Sequence, residues 1–170
     1  MIKIFPTFDP IFRGERKEPE KKVETYFSDE KQNDASGNGS YKIELLNQGN
    51  HENMGTVTYD YDLNGENSMI RIKTIGISME HQRQDFSMKL YNRLLDLCKE
   101  KNLSGIRSDE VVQGGALASW KKLQEQGYDL SVFPELSDKY KEFCKAYDEG
   151  KYFKDQLATG NGESVFTINL

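Results

Sequence analysis

The chain has 170 residues, 36% hydrophobic and 30% charged, which is enough for one domain with a buried core. Its net charge of −5 argues against nonspecific nucleic-acid binding, which needs a basic surface. Mean hydropathy is −0.77, and the longest apolar runs fall far short of a membrane span. The opening MIKIFPTFDPIF lacks the charged start, long apolar stretch and small-residue cleavage site of a secretory leader. A single cytoplasmic domain, with no membrane contact, is the expectation.

In chain order, residues 2–12 read as a first strand, with Ile2 and Ile4 alternating before Pro6. Residues 18–27 read as a short helix opening at Pro19, and the polar 28–40 stretch as a loop. Three strands follow at 41–46, 54–63 and 68–78, joined through Gly49-Asn50 and Asn64-Gly65, both good hairpin chemistry. In the third, Ile70 and Ile72 share one parity while Ile75 and Ile77 share the other. A bulge near Lys73–Thr74 returns both pairs to one face; a strand buried on both sides is the alternative.

A long amphipathic helix is expected from Phe86 to Lys101, with Phe86, Leu90, Leu94 and Leu97/Cys98 on one stripe and Asn102 at its end. The strand LSGIRSD follows, so residues 69–109 form a βαβ unit with a parallel strand pair. A second helix spans Gly115 to Gln126, with Leu117, Trp120 and Leu123 on one face and Gly127 past its end. Then come a strand at 128–133 and a helix from Ser137 as N-cap, striped by Tyr140, Phe143, Cys144 and Tyr147. ESVFTINL closes as a strand. Cys98 and Cys144 lack metal-ligand spacing and read as buried or inert thiols.

This order of elements, over about residues 41–133 plus the last strand, resembles the GNAT superfamily of acetyl-CoA-dependent N-acetyltransferases. Further matches are GISMEHQ before the long helix and WKKLQEQGYDL after the expected parallel strand. The resemblance implies an α/β (α+β) fold with a GNAT-like mixed sheet. In it an antiparallel meander leads into a βαβ unit whose parallel strand splays away. The whole chain is then one such domain, with an inserted helical segment at about 134–162.

The family's pyrophosphate loop, Gln/Arg-x-x-Gly-x-Gly/Ala, falls on Gln82-Arg83-Gln84-Asp85-Phe86-Ser87. Gln82 matches and Ser87 is small, but Asp85 replaces the first glycine, placing a carboxylate where a pyrophosphate would sit. Asp85 also precedes the apolar-periodic run, where an N-cap belongs. As a cap it would accept the amides that the family offers to phosphate. The family's general-acid tyrosine falls on Leu123. Trp120 reads as a core anchor, with ligand stacking as the alternative. Glu80, Asp109 and Glu110 are carboxylates near the expected cleft, and no catalytic residue stands out.

His51 lies in a polar loop, and His81 reads as a surface residue beside the turn. With no Cys/His pairing, a metal site is not expected. Gly114-Gly115 is a lone pair and no phosphate motif. The inserted aromatic helix either covers the sheet or binds a protein partner.

Two functions follow. The first is a non-catalytic binding or structural module, a pseudoenzyme without cofactor, held with a protein partner in a larger assembly such as a virion. The second is an active N-acetyltransferase with a divergent loop. Acetyl-CoA would then dock along Ile75 and Ile77 and on Gln82, Arg83, Gln84, Phe86 and Ser87, with bulge amides stabilising the oxyanion.

Overall fold

The structure, a computed structural model, describes residues 23–32, 40–82 and 85–170. The strand expected over 2–12 and the start of the helix expected over 18–27 lie outside these residues. The end of that expected helix is instead a strand, β1, Thr25–Phe27. Its β-branched and aromatic residues suit a pleated edge, and Thr25 to Phe27 pair antiparallel with Asn47 to Leu45. The expected 28–40 loop contains a two-residue strand, β2, Lys31–Gln32.

The antiparallel meander is present as β3, Tyr41–Asn47, β4, Asn53–Asp62, and β5, Met69–Ile77. The β3–β4 turn is fastened by Asn47, whose Oδ1 accepts from Gly49 N at 2.8 Å. The β4–β5 connection is longer than a two-residue hairpin, with a 3₁₀ turn at Gly65–Asn67. The expected bulge is also present: Thr58 pairs with Thr74 and Tyr59 with Ile72, so Lys73 is the extra residue of β5. Ile70 and Ile72 are consequently buried, Ile75 and Ile77 are half-buried, and Lys73, Thr74 and Gly76 are exposed.

The long helix, α1, Phe86–Glu100, lies against β3 to β6. It buries Phe86, Leu90, Leu94, Leu97 and Cys98, as its stripe predicts, together with Met88, Tyr91 and Leu95. Each fully buried leucine contributes about 1.5–3 kcal/mol. Asn102 terminates the helical run with φ 53°. The next strand, β6, Gly105–Arg107, pairs parallel with Met69 to Arg71.

After β6 come a short strand not foreseen in the sequence, β7, Val111–Val112, then α2, Gly115–Glu125, and β8, Asp129–Val132. The inserted segment holds α3, Ser137–Asp148, and a second unforeseen strand, β9, Leu157–Ala158, which pairs with β7. Ser137 is the first helical residue rather than the cap: a 3₁₀ turn at Pro134–Leu136 runs straight into α3, and the N-cap position falls on Leu136, whose side chain makes no capping bond. The closing strand, β10, Phe166–Asn169, slots between β6 and β8. The main sheet therefore runs β1-β3-β4-β5-β6-β10-β8, with β2 also on β3.

Gly105 makes the β6–β10 contact possible. Its φ is +150°, and a Cβ there would lie 1.9 Å from the Ile168 carbonyl oxygen. The aromatic stripe of α3 turns inward: Tyr140 and Phe143 are buried, and Tyr140 stands edge-on to Phe166 at 5.1 Å. Trp120 of α2 stacks on the other side of this cluster, 5.4 Å from Phe166 and 5.5 Å from Tyr91. The covering role expected of the inserted helix is therefore the one its aromatic face performs. Both thiols are as expected: Cys98 is buried and donates to Gly105 O at 3.2 Å, and Cys144 is half-buried.

Candidate functional site

The sheet opens where β5 and β6 part. They pair only over Met69–Arg71 and Gly105–Arg107. Beyond that point β5 continues along β4 to Ile77, while the chain after β6 leaves for β7 and a separate two-stranded sheet. Two local causes act together. The extra residue Lys73 lies just past the last paired residue of β5, and a bulge increases strand twist. On the other side, the buried Ser108 hydroxyl accepts from Val165 N and Phe166 N, each at 3.0 Å, which holds the chain toward β10.

The result is a cleft of about 480 Å³. Ile72 to Ile75 and Ile77 form one wall, Ser108, Asp109 and Val111 to Gln113 the other. The start of α1 and one face of α2 close its end, with Asp85 and Ser87 at the first, Gln82 ahead of it, and Gly115, Ser119 and Lys122 spread from the first to the last turn of the second. Tyr91 and Trp120 line it too, although both are almost wholly buried.

Asp85 does not cap α1, contrary to the expectation from its position. Its backbone is left-handed, φ 55° and ψ 22°, and its side chain makes no capping bond. A cap needs extended backbone so that its oxygen can turn back to the amides of the first turn. Aspartate tolerates the left-handed region better than most side chains, so it occupies a conformation in which glycine is at ease. Its carboxylate instead meets Lys122 of α2, Nζ to Oδ1 2.5 Å. Beside this pair, Ser87 and Ser119 hydroxyls approach to 3.2 Å, and Ser119 Oγ donates back to Gly115 O.

The charged groups of the cleft are internally matched. Arg71 donates to Asp109 Oδ1 at 2.9 Å, and Lys73 lies 3.8 Å from Asp60 and 3.9 Å from Asp109. Burial pushes the Tyr91 phenol above its usual range, with a bond to Trp120 acting in the opposite sense. Leu123 is fully buried and contributes nothing to the cleft.

Of the residues expected to hold a cofactor, Ile75, Ile77, Gln82 and Ser87 line the cleft. Phe86 turns into the core, and Arg83 and Gln84 lie outside the described residues. Among the three carboxylates, Asp109 lines the cleft, Glu110 accepts from Gly162 N at 3.0 Å, and Glu80 is exposed elsewhere. His81 is not the surface residue expected. Its ring stands 5.9 Å from Phe86, and its two nitrogens are shielded from solvent. Glu52, Glu80 and His81 bring ligand atoms within 4.8 Å of one another, outside the cleft. The sequence reading missed Lys73, Lys122 and Ser119 as site residues. Lys73 was within reach, because the parity break that locates the bulge also exposes it. Lys122 and Ser119 carried no local signal, since their relevance depends on how α2 meets α1.

Comparison with solved structures gives likenesses of fold. A Trypanosoma brucei acetyltransferase matches with TM-score 0.44 and 14% identity, over 54% of this chain and 63% of its own. A spermidine/spermine N-acetyltransferase, SpeG, from Vibrio cholerae matches with TM-score 0.47 and 18% identity, over 78% and 64%. Arabidopsis thaliana Naa50, solved with a bisubstrate analogue containing CoA, matches with TM-score 0.46 and 13% identity, over 75% and 70%. The chain thus spans less than two thirds of the length of the first two. No protein-family model and no curated protein matches the sequence. The mixed sheet, antiparallel meander and parted parallel pair are the architecture expected from the sequence's resemblance to the GNAT superfamily. At these values the likeness carries nothing about activity or substrate. Among the described residues, no helix is long and apolar enough to cross a membrane.

Proposed function

We propose that this chain is a GNAT-fold module whose cleft binds an acyl-CoA, and that it serves as a binding module rather than an efficient acetyltransferase. The observation that carries the binding half is the unsealed start of α1 at the mouth of the cleft. The Asp85 side chain at its N-cap makes no capping bond, and helix N-termini favour anions because unsatisfied amides and the helix dipole converge there. The residues fit such a ligand on two further counts. Ser87 is small, and Lys122 stands beside Asp85 in the lining of the cleft, a cation within reach of a phosphate there. Ile75 and Ile77 would flank the pantetheine arm, and Gln82 and Ser87 the pyrophosphate. When bound, an acyl-CoA supplies a thioester carbonyl open to attack by an amine.

The non-catalytic half rests on proton transfer. A general base or acid needs a pKa near the working pH and a free position. Asp109, Asp85, Lys73 and Lys122 are each engaged in an ion pair, and Tyr91 is buried with its phenol held neutral. A second reading, an active N-acetyltransferase, is favoured by one observation. The bulge leaves Lys73 unpaired at a point lining the cleft, where a backbone amide could serve a developing oxyanion.

Isothermal titration of the chain with acetyl-CoA at low salt tests the first half: micromolar binding is expected, and none up to millimolar ligand would overturn it. Incubation with acetyl-CoA and a panel of polyamines, peptides and amino sugars tests the second. No acetyl transfer above the protein-free rate is expected, and sustained turnover on any amine would establish the second reading instead.

A further inference from the structure

We infer that the Asp85–Lys122 ion pair is a latch on the phosphate end of the cleft. In the resting chain Asp85 occupies Lys122 in place of a ligand anion, and a bound pyrophosphate takes Lys122 over. The inference rests on the acyl-CoA reading above.

Three observations lead to it. The first is position. Asp85 and Lys122 line the main cleft, and they also line a second hollow of about 340 Å³ whose other walls are Met88, Glu125 and Gln126. The pair is therefore lining that the two hollows share, at the place where α1 and α2 meet.

The second is the asymmetry of the partners. The Asp85 side chain is 70% exposed and that of Lys122 only 25%. The ammonium is the seated member and the carboxylate the one that can swing away. An ion pair with so exposed a carboxylate adds little to stability, so it opens at small cost.

The third is chemistry. The Asp85 side chain makes no capping bond, and the bond this residue does make to the first turn, Met88 N donating to Asp85 O at 3.1 Å, is backbone, so swinging the carboxylate away leaves no helical amide newly unpaired. A pyrophosphate carries more charge than one carboxylate and offers more acceptor oxygens to an ammonium. It therefore competes well for Lys122, while Asp85, left in place, would repel it. The aspartate that interrupts the expected phosphate loop thus acts as a tuning element: it makes binding weaker and more dependent on ligand charge without closing the site.

The test is titration of acetyl-CoA, and separately of acetylpantetheine, into the wild-type chain, Asp85→Asn, Lys122→Gln and the double variant. Asparagine tolerates the left-handed backbone of position 85, and circular dichroism checks that each variant is folded. For acetyl-CoA, Asp85→Asn is expected to tighten binding about tenfold and Lys122→Gln to weaken it about tenfold. The gain from Asp85→Asn should vanish in the Lys122→Gln background. Acetylpantetheine, which carries no pyrophosphate, should bind all four proteins alike. Wild-type binding that Asp85→Asn leaves unchanged would overturn the latch while keeping the acyl-CoA reading. So would a gain that persists without Lys122, or one that acetylpantetheine shares. Failure of all four proteins to bind acetyl-CoA would overturn the acyl-CoA reading, and the latch with it.

Discussion

Lys121 Nζ of α2 lies 3.1 Å from Asp148 Oδ1 at the end of α3. The same ammonium meets Glu125 and stands 4.7 Å above the Tyr147 ring. Its side chain is only 8% exposed. Burial works against its charge, but the Glu125 and Asp148 carboxylates more than offset this, and the pKa is raised. One lysine thereby ties the inserted helix to the rest of the fold. Lys121→Met keeps the apolar stem and should cost about 1 kcal/mol, whereas Lys121→Ala also loses packing and should cost about 2 kcal/mol. Urea denaturation gives both values, and amide exchange should quicken first in α3. Equal losses in the two variants would contradict the role assigned to the stem.

Gly105→Ala should be among the most damaging single substitutions in the sheet. The added methyl would collide with the Ile168 backbone carbonyl at 1.9 Å, and no side-chain rotation relieves a clash with backbone. Separation of β6 from β10 removes the strand that holds the cleft open. A loss on the order of 3 kcal/mol is expected, or failure to fold. A thermal melt within a degree or two of wild type would show that β10 can shift freely.

Asp85→Gly should not destabilise the chain, because there is no cap to lose and the backbone already sits at φ 55°. Asp85→Ala keeps a Cβ in the left-handed region without the aspartate side chain, and should be less stable than Asp85→Gly by about 1 kcal/mol. Chemical denaturation of the pair decides this. The reverse order would contradict the left-handed backbone assigned to position 85.

Stability should fall with rising pH above about 9. Burial pushes the Cys98 thiol from the usual 9.0 up to about 12, against a bond to the Ile70 backbone that acts downward. The folded state therefore keeps a proton that the unfolded chain loses. The stabilisation is fully present below the unfolded pKa and declines between pH 9 and 12, by about 1.4 kcal/mol per unit. Burial raises the Cys144 thiol too, in the same sense. Between pH 9 and 10, before unfolded tyrosines titrate, Cys98→Ala should shed part of this slope. Urea midpoints across that range measure it, and an unchanged slope would mean Cys98 is accessible to solvent.

Elements with one buried face follow from the residue pattern alone. The 3.6-residue stripe of α1, the alternation along β4 and the parity break at Lys73 are each enforced locally. A single slip would expose a row of apolar side chains, so the pattern allows one answer. The bulge, and with it the mouth of the cleft, was legible for that reason. Four of the shortest elements were not: β1, β2, β7 and β9 run two or three residues, too few for a period, and exist because a neighbouring strand offers hydrogen bonds. The role of Asp85 was also decided only in three dimensions. Locally it looks like an N-cap, because a short acid before an apolar run usually is one. Its backbone conformation, and a lysine 37 positions later on α2, assign its charge elsewhere. The choice between capping a helix and pairing a lysine depends on how two helices meet, a long-range relation that no window of sequence contains.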